Sequence, residues 1–319
     1  MNAIWLLVLK VSLVSFMAGN LLDMGLRLNI KDALRGLGNG RFVLLSLFWG
    51  FVFGPAVAYL IAHSMPLAAP YALGLVLMGM TPCAPFLPMI AGKANADLGY
   101  TSAFMLLAAV GTIVVMPLAI PLLAQGMHIS AWAIAKPLIF IILLPLAVGM
   151  AVLHASPQVA ATIQPVIRKL TVLFTACMLL ACLVLYGADI LDVAGSFAVI
   201  SLALFLLTVT VIPYRFGFGL PHEQKIVLSI GMATRNLGAA FVPLVASPLI
   251  DKRATLMVVL GVPLMILFAA GATAWFKPTP SWARPAACAN SGSASRRGSC
   301  VGPVRPRTSR RSRPAPSPT

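Results

Sequence analysis

Met80-Thr81-Pro82-Cys83-Ala84-Pro85-Phe86-Leu87-Pro88 places three prolines within seven residues at the middle of an apolar run over 70–93. Proline removes a backbone donor and its ring clashes with the preceding turn, so this density breaks a helix near its centre. A second run, 224–247, carries Gly231-Met232-Ala233-Thr234-Arg235-Asn236-Leu237-Gly238 at its middle, with Pro243 a turn and a half later. Irregular backbone at the depth of a membrane centre is tolerated only where it is buried in protein or lines a water-filled cavity, because lipid offers no partners. One proline-rich run alone also reads as a kinked packing helix, since proline is common in membrane spans. Two such runs with polar centres point to a binding site between broken helices.

The rest of the chain sets these runs in a membrane. Of 319 residues, 60% are hydrophobic and 9% charged, against about 25% charged in a soluble domain. Too little polar surface remains to coat a water-facing globule, which excludes a soluble enzyme, a disordered chain, a secreted disulfide framework and a β-barrel. Nine apolar runs approach the roughly 20 residues that cross about 30 Å of hydrocarbon. They cover 4–26, 42–63, 70–93, 98–125, 131–154, 167–188, 192–213, 224–247 and 254–276. The expected fold is an all-α polytopic membrane protein of about nine transmembrane helices. The first run lacks a basic leader and continues past Lys10, so it reads as a retained span rather than a signal peptide. Residues 1–277 form the expected single transporter domain, and 278–319 a disordered tail rich in Pro, Ser and Arg.

The net charge of +16 invites a nucleic-acid reading that its distribution rejects. Of 23 Lys and Arg, nine (Lys277, Arg284, Arg296, Arg297, Arg305, Arg307, Arg310, Arg311, Arg313) fall after residue 276, with no acid among them. That tail reads either as an electrostatic anchor to anionic lipid, at about 1 kcal/mol per cation, or as an extension without a selected role. Earlier cations mark alternate loops: Arg27, Lys31, Arg35 and Arg41, then Lys93, then Arg168 and Lys169, then Arg215 and Lys225. Cytoplasmic loops collect Lys and Arg, so the N-terminus is expected outside and the C-terminus in the cytoplasm, in a bacterial inner (plasma) membrane. Only Lys252 and Arg253, beside Asp251, break the pattern. The five cysteines, Cys83, Cys177, Cys182, Cys288 and Cys300, have no metal-ligand spacing.

If the last five runs form one repeat and the first four the same repeat without its first helix, both broken runs are fourth in their repeat. They then cross in opposite directions, the inverted symmetry of alternating-access carriers. Arg235 is the most informative residue, because a cation at a span centre costs about 2.5–3.5 kcal/mol and seeks a partner inside the bundle. Of the seven acids only Asp23 lies inside a run, while Asp192 marks the outer boundary of the seventh. Arg235 therefore either pairs with Asp23 or attracts the anionic group of a substrate, helped by half-helix N-termini. Thr81, Cys83, Thr234, Arg235 and Asn236 are the candidate substrate-binding residues. Lys10 and Lys136 lie near span ends and can snorkel, and His63, His128, His154 and His222 fall at span ends or in loops.

Three stretches resemble the bile acid:sodium symporter superfamily. Met24-Gly25-Leu26-Arg27-Leu28 followed by Asp32 is similar to its M-G-L-x-L element. Leu75–Leu98, ending Ala91-Gly92-Lys93-Ala94-Asn95-Ala96-Asp97-Leu98, resembles its broken fourth helix. Leu220-Pro221 through Leu228-Ser229-Ile230-Gly231-Met232-Ala233-Thr234-Arg235-Asn236-Leu237-Gly238-Ala239-Ala240 resembles its broken ninth helix, with the signature E-x-G-M-Q-N-S-G-L-A-x-A. The resemblance covers about residues 4–276 and implies ten helices, of which this chain would lack the first. It further implies a core domain in which the broken helices cross, a panel domain, and organic anions carried with two sodium ions.

The sodium ligands that the resemblance implies do not carry over. Matching Gly231-Met232 to the signature's G-M sets Ser229 at the glutamate and Ala233 at the glutamine; a register two residues later sets Gly231 and Arg235 there. Pro85-Phe86 stand at a Ser-Asn pair, and Gly99 and Ala103 at hydroxyl ligands, with Thr101 and Ser102 as neighbours that fit in a shifted register. Thr101, Ser102, Ser229 and Met232 are therefore the candidate ion-site positions, in a site that has lost its carboxylate. No cofactor is expected, and sodium enters only as the family's coupling ion. The expected function is a secondary transporter of a small organic anion, with a proton-coupled or facilitative, sodium-independent carrier as the alternative. Membrane lipid is the other expected partner, nucleic acid is not, and the sequence gives no reading of oligomeric state. An enzyme is disfavoured because Thr81, Cys83 and Thr234 lack a His or acid at the same depth, and a channel because no charged ring or repeated filter is present.

Overall fold

The computed structural model describes residues 2–28, 30–123, 131–195, 197–246 and 253–276, all within one compact unit, Met1–Lys277. The expected tail, with Cys288 and Cys300, and also His128, Asp251 and Lys252 lie outside the described residues. In chain order the helices are α1 (Asn2–Gly25), α2 (Ile30–Leu37), α3 (Gly40–Ser64), α4 (Ala69–Gly79), α5 (Leu87–Lys93) and α6 (Leu98–Leu123). They continue with α7 (131–155), α8 (Pro157–Gly195), α9 (Ala198–Arg215), α10 (His222–Ala233), α11 (Leu237–Ala246) and α12 (Arg253–Phe276). Among the described residues there is no strand, and α1, α3, α6, α7, α8, α9 and α12 are each long and apolar enough to cross a bilayer. The chain is an all-α polytopic membrane protein. Where the other two spans were expected stand two interrupted pairs, α4 with α5 and α10 with α11.

Local chemistry explains the boundaries. Asn39 caps α3 by accepting from Phe42 N at 3.2 Å, and its Nδ2 donates to Tyr100 Oη at 3.1 Å. The Asp97 carboxylate accepts from Gly99 N at 2.8 Å and Tyr100 N at 3.1 Å, so it starts α6 instead of remaining a loop charge. Pro70 and Pro88 sit in the first turns of α4 and α5, where the missing N–H is not needed. In α2, Asp32 in the first turn and Arg35 in the last complement the helix dipole.

Three features depart from the sequence reading. The stretch between the fifth and sixth runs is not a loop: α8 begins at Pro157 directly after Ser156, and the exposed Arg168 and Lys169 lie on it. Its stretch Pro157–Gly187, 31 residues as far as the kink described below, is roughly 46 Å long at 1.5 Å per residue. It exceeds the hydrocarbon thickness, so those cations can still lie at its edge. The far end of α8 also absorbs 189–195, expected as loop and as the start of the seventh run, across a kink at Tyr186 (φ −129°, ψ 20°). Finally, Phe48–Phe53 in α3 and Ile139–Leu143 in α7 are π-helical.

α1, α7 and α8 pack on one another. Gly25 and Gly149 allow α1 and α7 to touch backbone to backbone, since a side chain on either would run into the other's Cα. α10 packs against α6, α9 and α12, and α4 against α3 and α12, which surrounds the two interruptions with helices.

Candidate functional site

The two interruptions meet and satisfy each other's backbone. Pro82 and Arg235 form an antiparallel bridge, so the two breaks are traversed in opposite senses. Asn236 N donates to Thr81 O at 2.8 Å, and Cys83 N donates to Thr234 O at 2.9 Å and Gly231 O at 3.1 Å. Ala84 N donates to Thr234 Oγ1 at 3.3 Å. Each break thus supplies the acceptors that lipid would deny the other. Cys83 holds a left-handed φ of 71°, uncommon for a residue with a side chain and characteristic of sites where the surroundings dictate the backbone.

Thr81, Cys83, Thr234, Arg235 and Asn236 are all buried at this crossing. The hydroxyl of Thr81 donates to Met78 O at 3.3 Å and that of Thr234 to Ile230 O at 3.0 Å, which closes the last turns of α4 and α10. Asn236 Oδ1 accepts from Ala239 N at 3.1 Å and so caps α11. Cys83 Sγ donates weakly to Ala84 O at 3.7 Å.

Arg235 differs from its neighbours. It is the largest fully buried side chain, with 0% exposure. Its guanidinium lies over the Phe205 ring of α9, 4.8 Å from the centroid. Nη1 donates to Gly79 O, the last residue of α4, at 3.4 Å, while Arg235 N donates to Met265 Sδ of α12 at 2.9 Å. Nε and Nη2 have no partner among the described residues. A ring face contributes about 2 kcal/mol to a desolvated cation, and the carbonyl end of a helix carries about half a negative charge. Both favour the guanidinium, yet an unmade buried donor still costs about 1–3 kcal/mol.

The ion pair to Asp23 does not form. Asp23 Oδ1 accepts from Arg27 Nη2 at 3.1 Å, one helical turn away, and from Gln164 Nε2 of α8. The candidate ion-site hydroxyls each donate to a main-chain carbonyl. Thr101 and Ser102 donate within α6, to Asp97 O at 2.7 Å and Leu98 O at 3.1 Å. Ser229 donates to Thr210 O of α9 at 2.7 Å. Gly231, two residues on, lies so close to Phe104 of α6 that a Cβ would enter its ring, and the Met232 methyl lies toward Gly54 of α3. Phe205, Gly79, Met265 and Phe104 were not singled out in the sequence: nothing marks one phenylalanine among 16 as the floor beneath a cation.

A family model described as "Sodium Bile acid symporter family" matches residues 14–193, more than half of the chain. The match covers the first interruption and ends before the second. The chain is also similar to "Probable sodium/metabolite cotransporter BASS2, chloroplastic" of Oryza sativa subsp. japonica, with 26% identity over 239 residues, 72% of this chain. It spans 57% of that relative's length.

Proposed function

The chain belongs to the sodium bile acid symporter family, and on that premise we propose that it is a secondary carrier moving a small organic anion across the membrane by alternating access. The observation that supports this is the buried Arg235 with Nε and Nη2 left without acceptors. A carboxylate or sulfate takes two parallel hydrogen bonds from a guanidinium and neutralises it at once. Asn236 adds its Nδ2 as a further donor, while Thr81, Cys83 and Thr234 hold the crossing that presents Arg235. In this conformation the guanidinium is closed off by Phe205, so anion access requires the helices around the crossing to move. The basic loops favour an orientation with the N-terminus outside and the C-terminus in the cytoplasm.

Uptake of labelled organic anions into proteoliposomes tests the reading. Arg235→Ala is expected to abolish uptake while the protein remains folded; unchanged uptake by that variant would refute it. Coupling forms a second question. We propose that transport does not depend on sodium through the family's side-chain ligands, because the position of the family's carboxylate is held by Ser229 in one register and Gly231 in the other. Sodium coupling is the competing reading, supported by the similarity to the rice protein described as a probable sodium/metabolite cotransporter. Equal uptake in sodium and choline buffers is expected, and a strict sodium requirement would decide for the competitor. An imposed pH gradient separates a proton-coupled carrier from a facilitative one.

A further inference from the structure

Away from the crossing, α9, α10 and α12 part at the end that bears the α9–α10 connection. A cavity of about 150 Å³ opens between them, walled by Thr210, Tyr214, Ser229, Ala272 and Phe276, with Trp275 at its side. A second space of about 240 Å³ adjoins it, lined by Tyr214, Arg215, His222 and Lys225. Tyr214 and Arg215 line both, so the two spaces are neighbours and together are called the groove. The inner compartment is chemically apolar despite its two hydroxyls. Thr210 Oγ1 donates to Leu206 O within its helix, and Ser229 Oγ donates to Thr210 O. The outer compartment is a basic mouth. Gly217 seats the Lys225 stem, since a side chain there would overlap Lys225 Cγ. Arg215 lies over the Phe216 ring at 5.9 Å, and His222 Nδ1 is 3.3 Å from Tyr214 Oη. Neither Arg215 nor Lys225 makes an ion pair among the described residues. Glu223 does not line the mouth and lies in the first turn of α10, where the helix dipole holds it.

We propose that this groove holds an anionic phospholipid, with its phosphate between Arg215 and Lys225 and one acyl chain along Tyr214, Trp275 and Phe276. The proposal rests on membrane embedding and is independent of what the crossing carries. Basic pockets between membrane helices recognise anionic headgroups, and exposed aromatic residues at helix ends occupy the headgroup level. Trp275, 68% exposed at the end of α12, meets that description. An occupant that reaches from one space into the other meets basic groups at one end and an apolar wall at the other. A freely diffusing anion would use the mouth and leave the apolar inner space empty. The chain's own segment after Phe276 carries nine cations and no acid, which opposes its entry between Arg215 and Lys225. A molecule with an anionic head and a hydrocarbon chain satisfies both compartments.

The test is tryptophan quenching in the full chain reconstituted with brominated phosphatidylglycerol or brominated phosphatidylcholine, with Trp275→Phe isolating the signal of Trp275. An interfacial cation is worth about fivefold in preference, so up to roughly 25-fold for the pair. Wild type is expected to prefer phosphatidylglycerol at Trp275, and Arg215→Gln with Lys225→Gln to reduce the preference to near unity. Each single glutamine variant loses about fivefold. The charge-preserving exchange of Arg215→Lys with Lys225→Arg retains the preference, and Arg168→Gln with Lys169→Gln leaves it unchanged. No preference in wild type, or a preference surviving the double glutamine variant, would overturn the site.

Discussion

Replacing Arg235 by methionine separates a strut from a binding group. Methionine fills similar space and keeps apolar contact with Phe205, but removes the charge and the donors. The loss comprises the ring interaction, about 2 kcal/mol, and the hydrogen bond to Gly79 O, about 1 kcal/mol given its 3.4 Å length. Against this, Nε and Nη2 cost about 1–3 kcal/mol each while they lack acceptors, the desolvation that makes a cation expensive in a span. The balance favours the neutral side chain, as it often does when a buried charge gives way to a well-packed apolar residue, by about 1–4 kcal/mol. Arg235→Met is therefore expected to raise the thermal midpoint of the ligand-free protein in detergent and to abolish anion uptake. Added anion should raise the wild-type midpoint and leave that of the variant unmoved. If Arg235→Met unfolds more readily than wild type, the arginine is structural and the reasoning from its unmade donors fails.

Gly231→Leu is expected to lower the melting midpoint, because the new side chain would occupy the Phe104 ring position between α10 and α6; overpacking of this kind costs about 1–3 kcal/mol. Thr234→Val keeps the shape but leaves Ala84 N without its acceptor, a loss of about 1–3 kcal/mol visible in the same melt. Asp23→Asn, which weakens a partly exposed ion pair between the end of α1 and the turn that follows it, should change stability by less than about 1 kcal/mol and leave uptake intact. An effect on uptake as large as that of Arg235→Ala would revive a link between Asp23 and Arg235.

The breaks were legible because they are local. Three prolines in Pro82–Pro88 and the polar cluster at Thr234–Asn236 violate helix chemistry whatever surrounds them, and the structure interrupts both runs there. Symmetry counting matches the positions of the two interruptions and opposes their directions, the family resemblance implies that they cross, and the Pro82 to Arg235 bridge is the physical form of that crossing. Arg235 stood out through the cost of its charge, but its surroundings did not. The choice between Asp23 and a ligand turned on where Asp23 points, and a competitor one turn away, Arg27, together with Gln164 from α8, had already taken it. The α8 boundary was missed for a related reason. Arg168 and Lys169 read as a loop because charge was taken to mark a span's end, whereas a helix longer than the membrane is thick carries its charges on continuous helical backbone. Where one side chain meets the solvent or its own chain, the residue type predicts the structure; where several distant elements compete for one group, only their packing decides. The unmade donors of Arg235 belong to the second kind. Their meaning lies in the absence of any described neighbour that could accept from them, which makes a ligand the simplest source of the missing acceptors.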